Sequence, residues 1–133
     1  MRVLTVILML TLQLATTHAQ PFECRGDQRQ IAALWFGRKI GDRVAVTDAM
    51  WKRFVDREIT PKFPDGLTIV DTRGQWRDVE RNKIVREPSK FVTIVLSGRE
   101  GDNERLQQVI DAYKRQFRQQ SVVLEVRPAC VHF

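Results

Sequence analysis

The chain has 133 residues, 43% of them hydrophobic and 29% charged, with a formal net charge of +6. That length fits one domain, and the composition is that of a folded globular protein rather than a disordered or fibrous one. A basic balance attracts anionic partners but on its own sets solubility and steering, not function.

The first residues set the compartment. Arg2 supplies a positive start, Val3 to Leu14 is mostly apolar, and Thr17-His18-Ala19 offers small residues at a cleavage site. This is the pattern of a secretory signal peptide, residues 1–19, and its apolar run is shorter than the roughly 20 residues a membrane span needs. Removal leaves residues 20–133 as a single domain, periplasmic or secreted, with no transmembrane segment. Cys24 and Cys130 are the only cysteines. In an oxidising compartment such a pair reads as a disulfide. Pro21-Phe22-Glu23 before Cys24 lacks the small residues of a lipoprotein anchor.

Gln30 to Gly37 is an apolar and aromatic run that predicts a first strand, and Gly41-Asp42 marks a loop. Thr47 is a good helix cap with Asp48 in the first turn. Trp51, Phe54, Val55, Glu58 and Ile59 follow at helical spacing, until Pro61 and Pro64 end the run. Thr60 to Gly66 reads as a shaped connection. Leu67 to Trp76 predicts a second strand interrupted by Gly74, Arg77 to Lys83 a hairpin connection, and Ser89 to Leu96 a third strand just after Pro88. Asp102 or Asn103 is expected to cap a second helix with Leu106, Val109, Ile110, Tyr113 and Phe117 on its apolar face. Val122 to Arg127 predicts a fourth strand, closed by Pro128.

The order β-α-β-β-α-β predicts an α+β, ferredoxin-like fold: a four-stranded antiparallel sheet of order 4-1-3-2 with two helices on one face. The cysteines give an independent check. Cys24 precedes the first strand and Cys130 follows the fourth, so the topology sets both at one end of neighbouring strands. By loop entropy a closure of this length contributes about 4–5 kcal/mol. The two central strands are apolar on both faces, as in Ile31, Ala33 and Trp35 against Ala32, Leu34 and Phe36. A homodimer packed sheet to sheet, as in dimeric α/β barrels, is therefore expected.

The chemistry is less explicit. His132 is the lone histidine beyond the signal segment, no His/Cys/Asp cluster suits a metal, and Ser89, Ser97 and Ser121 have no nearby base. No cofactor is expected, and no nucleic acid. One constellation remains: the topology brings Trp35, Arg38, Gln75, Trp76, Arg86, Glu87 and Lys90 towards one end of the sheet. Arginine forks bind carboxylate or phosphate, and tryptophans give flat apolar walls. The expectation is a binding module for a small anionic ligand. Two alternatives stand beside it. One is an enzyme of the dimeric α/β-barrel type in which Glu87 or Asp71 carries a proton and Arg86 holds the substrate anion. The other is an envelope protein that binds a protein partner through its sheet face. The bland reading of the same residues is a structural ion-pair network.

Several stretches resemble a bacterial family of small secreted proteins and lipoproteins, known only as domain of unknown function three-five-seven-four. They are Leu34 to Arg38, Val46-Thr47-Asp48 with Trp51, Thr60 to Thr68, Gly74 to Arg77, Ile84 to Lys90, and Tyr113-Lys114. The resemblance covers nearly all of the chain after the signal segment and implies no activity.

Overall fold

The computed structural model describes residues 23–133, so the predicted signal segment lies outside the described residues. Strand β1 (Asp27–Gly37) leads into a short ribbon of β2 (Lys39–Ile40) and β3 (Arg43–Val44). Helix α1 (Asp48–Phe54) follows and runs into a π-helical turn at Val55–Ile59. Strands β4 (Thr68–Asp78) and β5 (Lys83–Leu96), helix α2 (Asp102–Phe117) and β6 (Val123–Val131) complete the order. The main sheet is β4-β5-β1-β6, with every neighbouring pair antiparallel. This is the ferredoxin-like arrangement and strand order that the sequence predicts. The Cys24–Cys130 disulfide is present, with its Cα atoms 5.5 Å apart. No helix among the described residues is long and apolar enough to cross a membrane.

The even-numbered residues of β1 and β5 form the floor of the core. Ala32, Leu34 and Phe36 pack beside Val92, Ile94 and Leu96 under Trp51, Phe54 and Ile59 of the first helical segment and the apolar stripe of α2. Phe36 is the hub of an aromatic cluster, with ring centroids 4.8 Å from Tyr113, 5.1 Å from Trp51 and 6.1 Å from Phe54. Tilted and edge-on contacts of this kind add about 0.5–1.5 kcal/mol per pair to plain area burial. Thr47 caps α1 as expected, its hydroxyl accepting the Met50 N–H at 3.2 Å. The helix ends where Pro61 has no N–H to give, and Thr60 N–H closes the last turn on Val55 O at 2.9 Å.

The strands run longer than the sequence suggests. Gly74 does not interrupt β4, and both Pro88 and Pro128 lie inside strands. Pro88 is tolerated because β1 has reached its end beside it. Pro88 O accepts the Arg38 N–H at 3.1 Å, while Arg38 O accepts the N–H groups of Ala45 (2.9 Å) and Val46 (3.1 Å). The bond a proline cannot donate is thus supplied by the segment entering α1. Pro128 sits opposite Gln30 on edge strand β6, where the alternation turns its missing N–H to the outer edge. Helix α2 departs from its expected cap. Gly101, at φ 85°, precedes the first turn with no side-chain cap. Asp102 instead accepts the Gly98 N–H at 3.1 Å and pairs with Arg105 at 2.6 Å.

The Tyr113 hydroxyl donates to Gly37 O at 2.8 Å. Burial pushes that hydroxyl well above its ordinary value of 10.0, so it stays a donor. Tyr113→Phe leaves the half-buried carbonyl of Gly37 at the end of β1 without its donor. The expected loss is about 1–3 kcal/mol of unfolding free energy in a urea titration.

Candidate functional site

A sheet with helices on one face turns its other face outward, and here that face changes character along the strands. One row crosses all four: Val70, Phe91, Trp35 and Val123 are successive cross-strand neighbours. The rings of Trp35 and Phe91 lie 4.9 Å apart, while Val70 and Val123 remain 45% and 59% exposed. Two residues further along β1 the side chains disappear. Gly37 faces Ser89, Gly74 faces Glu87, and Trp76 then faces Val85. The two glycines leave a trough between the tryptophans, and it opens into a cleft of about 510 Å³.

Glu87 occupies the floor of this cleft. One carboxylate oxygen accepts from Trp76 Nε1 at 3.0 Å, the other from the Lys39 backbone N–H at 3.0 Å. The carboxylate lies directly over Gly37: a Cβ there would meet its atoms at 2.7–2.9 Å. Glycine at 37 is therefore a steric requirement of the Glu87 position, and Gly74, where a Cβ would stand 3.1 Å from Ser89 Oγ, repeats the theme more gently.

Three loops make the rim: the β2–β3 ribbon, the β4–β5 hairpin, and the segment between α2 and β6. Gln119 Nε2 donates to Lys39 O at 2.8 Å and fastens the third loop to the first. Two rim cations are neutralised by carboxylates, Lys83 by Asp42 at 3.2 Å and Arg81 by Asp78 at 3.8 Å. The hydrogen bond from Lys83 holds the Asp42 carboxyl below its ordinary value. Among the described residues, Lys39 and Arg118 on the rim and Glu87 on the floor have no ion-pair partner.

The seven residues that the sequence singles out divide between two places. Trp35, Gln75, Trp76 and Glu87 border the cleft. Arg38 and Lys90 are buried on the helix side of the sheet. Arg38 Nε donates to Val46 O at 2.7 Å, and its guanidinium lies 3.1 Å from Asp48. Lys90 lies 3.1 Å from the same Asp48 oxygen and pairs closely with Asp71. Burial pulls the Lys90 ammonium down, but the hydrogen bonds and charges of Asp71 and Asp48 outweigh it and hold it above its ordinary value. A hydrogen bond from Lys90 and the charge of Arg38 hold Asp48 below 3.8. Arg86 is exposed and, next to Glu87 on one strand, points to the opposite face. A structural ion-pair network is thus present at this end of the sheet, and it joins Arg38 and Lys90 to Asp48 and Lys90 to Asp71.

Sequence reasoning missed Gly37, Gly74, Lys39 and Arg118. The available signal was two glycines within otherwise strand-forming runs, which mark a close approach. A smaller cavity of about 230 Å³ lies by the Pro61–Gly66 connection. Its basic groups are matched: Lys62 with Glu58, Arg99 with Asp65, Arg105 with Asp102. The described residues hold no cluster of three or more groups suited to a metal ion.

A family model described as "Protein of unknown function (DUF3574)" matches residues 31–133. No curated protein matches the chain. Among solved structures, a phage SAM lyase in complex with S-methyl-5'-thioadenosine superposes with a TM-score of 0.65 at 19% identity, covering 85% of this chain and 90% of that one. The apo phage SAM lyase gives 0.61 at 21% identity, covering 83% and 88%. CutA from Synechococcus elongatus PCC7942 gives 0.50 at 10% identity, covering 77% and 78%. At these identities the likeness is one of fold.

Two measurements probe the two clusters. Gly37→Ala should displace the Glu87 carboxylate and cost about 1–2 kcal/mol, yet be nearly neutral in a Glu87→Ala background. A double-mutant cycle by chemical denaturation reads that coupling. For the network, a carboxyl held below its unfolded value contributes stability that is fully present above pH 3.8 and lost as pH falls through the folded value. The melting temperature of the wild type should therefore fall more steeply below about pH 4 than that of Asp48→Asn.

Proposed function

We propose that this chain, which belongs to the DUF3574 family, is an extracytoplasmic binding module for a small ligand held in the cleft on the open face of its sheet. One observation carries this reading. Gly37 and Gly74 clear a trough between Trp35 and Trp76, and Glu87 is fixed in its floor by two neutral N–H donors. A carboxylate presented in this way is organised for an incoming group and is not consumed by a structural ion pair. Apolar walls with a few fixed polar groups are the ordinary make-up of a small-molecule site. An anionic group on the ligand then belongs at Lys39 and Arg118. Arg38 and Lys90 are satisfied by Asp48 and Asp71, and Arg86 lies away from the cleft.

The disulfide suggests an extracytoplasmic protein. In this reading the signal segment is removed after Ala19 and residues 20–133 work in the periplasm or outside the cell. A catalytic variant of the proposal assigns the proton-carrying role to Glu87, because Asp71 is paired with Lys90. The phage SAM lyase, whose structure contains S-methyl-5'-thioadenosine, supports including nucleoside ligands among those tried.

A second reading rests on the exposed row of Val70, Phe91, Trp35 and Val123. Contiguous apolar surface of this kind marks association sites, and a second copy packed sheet to sheet is the homodimer that the sequence suggests.

The test is a thermal-shift and tryptophan-fluorescence screen of the oxidised protein against small carboxylates, phosphates, amino acids and S-methyl-5'-thioadenosine. A hit should raise the melting temperature of the wild type and of Arg86→Ala, and not that of Trp76→Ala. No shift across the set, together with a dimer in sedimentation equilibrium that Trp35→Glu dissociates, would replace the ligand reading with the partner reading.

A further inference from the structure

From the charge layout of the cleft we infer that its ligand is a zwitterion, with an ammonium or similar N–H cation for Glu87 and a carboxylate or similar anion for Lys39 and Arg118. The inference rests on the reading of the cleft as a ligand site and names the chemistry of its occupant.

Among the described residues, the chain pairs the charges that it buries and those that line its smaller cavity. In the smaller cavity Lys62, Arg99 and Arg105 each meet a carboxylate. On the helix side Arg38 and Lys90 meet Asp48 and Asp71. On the cleft rim itself Lys83 and Arg81 meet Asp42 and Asp78. A buried charge left unmatched is costly, which accounts for the pairing of Arg38, Lys90, Asp78 and Asp102. The cleft differs: among the described residues, half-buried Glu87 and Lys39 and exposed Arg118 border one space without an ion pair, so charges of both signs stand unmatched there.

Glu87 is half-buried, and its carboxylate accepts one hydrogen bond on each oxygen. An ionised carboxylate offers about four acceptor positions, so capacity remains on the side facing the cleft. Trp35 and Trp76 border the same space, and aromatic faces attract cations. The complementary charges stand on the rim. Lys39 is the residue whose own N–H holds Glu87, and its carbonyl is fastened to Gln119, the neighbour of Arg118. These two bonds set the backbone of Lys39 and the segment carrying Arg118 beside the Glu87 carboxylate. A purely anionic ligand would leave Glu87 unanswered and facing it; a purely cationic one would do the same to Lys39 and Arg118. A zwitterion answers both.

Isothermal titration with four matched groups of probes tests this: free α-amino acids including aromatic ones, their N-acetyl derivatives, their amides, and neutral N-acetyl amides. The expected result is that binders come from the free amino acids, and that blocking either charged end weakens binding about tenfold or more. Glu87→Gln should weaken the free amino acid by a similar factor while leaving its N-acetyl form unchanged, and Lys39→Met with Arg118→Gln should show the reverse selectivity. The two variant sets keep the result readable if one of them is poorly folded. Equal or tighter binding of N-acetyl or neutral forms would overturn the zwitterion while keeping the cleft as a ligand site. No binding by any of the four groups, together with no hit in the broader screen, would remove both.

Discussion

The hydrogen bond from the Tyr113 hydroxyl to the Gly37 carbonyl spans 76 residues of sequence and fixes the end of β1, where three environments meet. Phe36, Gly37 and Arg38 are consecutive, and a strand turns consecutive side chains to opposite faces. Phe36 enters the aromatic core and Arg38 joins the ion pairs at Asp48. Gly37, facing the other way, leaves the space that the Glu87 carboxylate fills. The α2 helix that supplies Tyr113 also delivers Arg118 and Gln119 to the cleft rim. Core packing and cleft geometry are therefore set by the same few residues, and a disturbance of one reaches the other through rigid strand.

The same corner explains how β5 carries a proline at a central position. A proline in the middle of a sheet normally costs a ladder bond. Here β1 finishes opposite Pro88, and the carbonyl left over, that of Arg38, is taken by the two N–H groups that lead into α1. The lost sheet bond becomes the attachment of the ribbon and helix to the sheet. This places Lys39 beside Glu87 and Asp48 beside Lys90. A feature that reads in sequence as a strand boundary is, in the folded chain, the joint that assembles the rim.

Periodicity made the fold legible. The apolar spacing of Leu106 to Phe117, the β-prone run of Phe91 to Leu96 and the cap at Thr47 are local signals, and one right-handed topology satisfies them with the cysteines adjacent. The strand limits were not legible at Gly74, Pro88 and Pro128, because local rules treat these residues as punctuation. Each is tolerated here for a tertiary reason: an open trough, a substitute donor, an outer edge. The cap of α2 was misread in the same way, since Asp102 is drawn to Gly98 and Arg105. For the candidate site, topology brings Trp35, Trp76 and Glu87 to one end of the sheet, and strand alternation, which turns Arg38, Arg86 and Lys90 to the face opposite Trp35 and Glu87, is the further signal in the sequence.

That difference of face decides what the charges can do. Lys90 pairs across the sheet with Phe36, so its side chain is carried to the helix side and buried there. Burial obliges it to find carboxylates within the chain, and once Asp48 and Asp71 are engaged it has little attraction left for a ligand. Arg38, two residues beyond Phe36 at the end of β1, follows the same course. Lys39, a single residue later on the opposite phase, has no such obligation, because it sits on a ribbon at the margin where water screens it. Density of basic residues in a sequence thus points poorly to a binding site. The better guide is the phase of each charge along its strand, since it separates the groups the fold must neutralise from those it leaves unpaired.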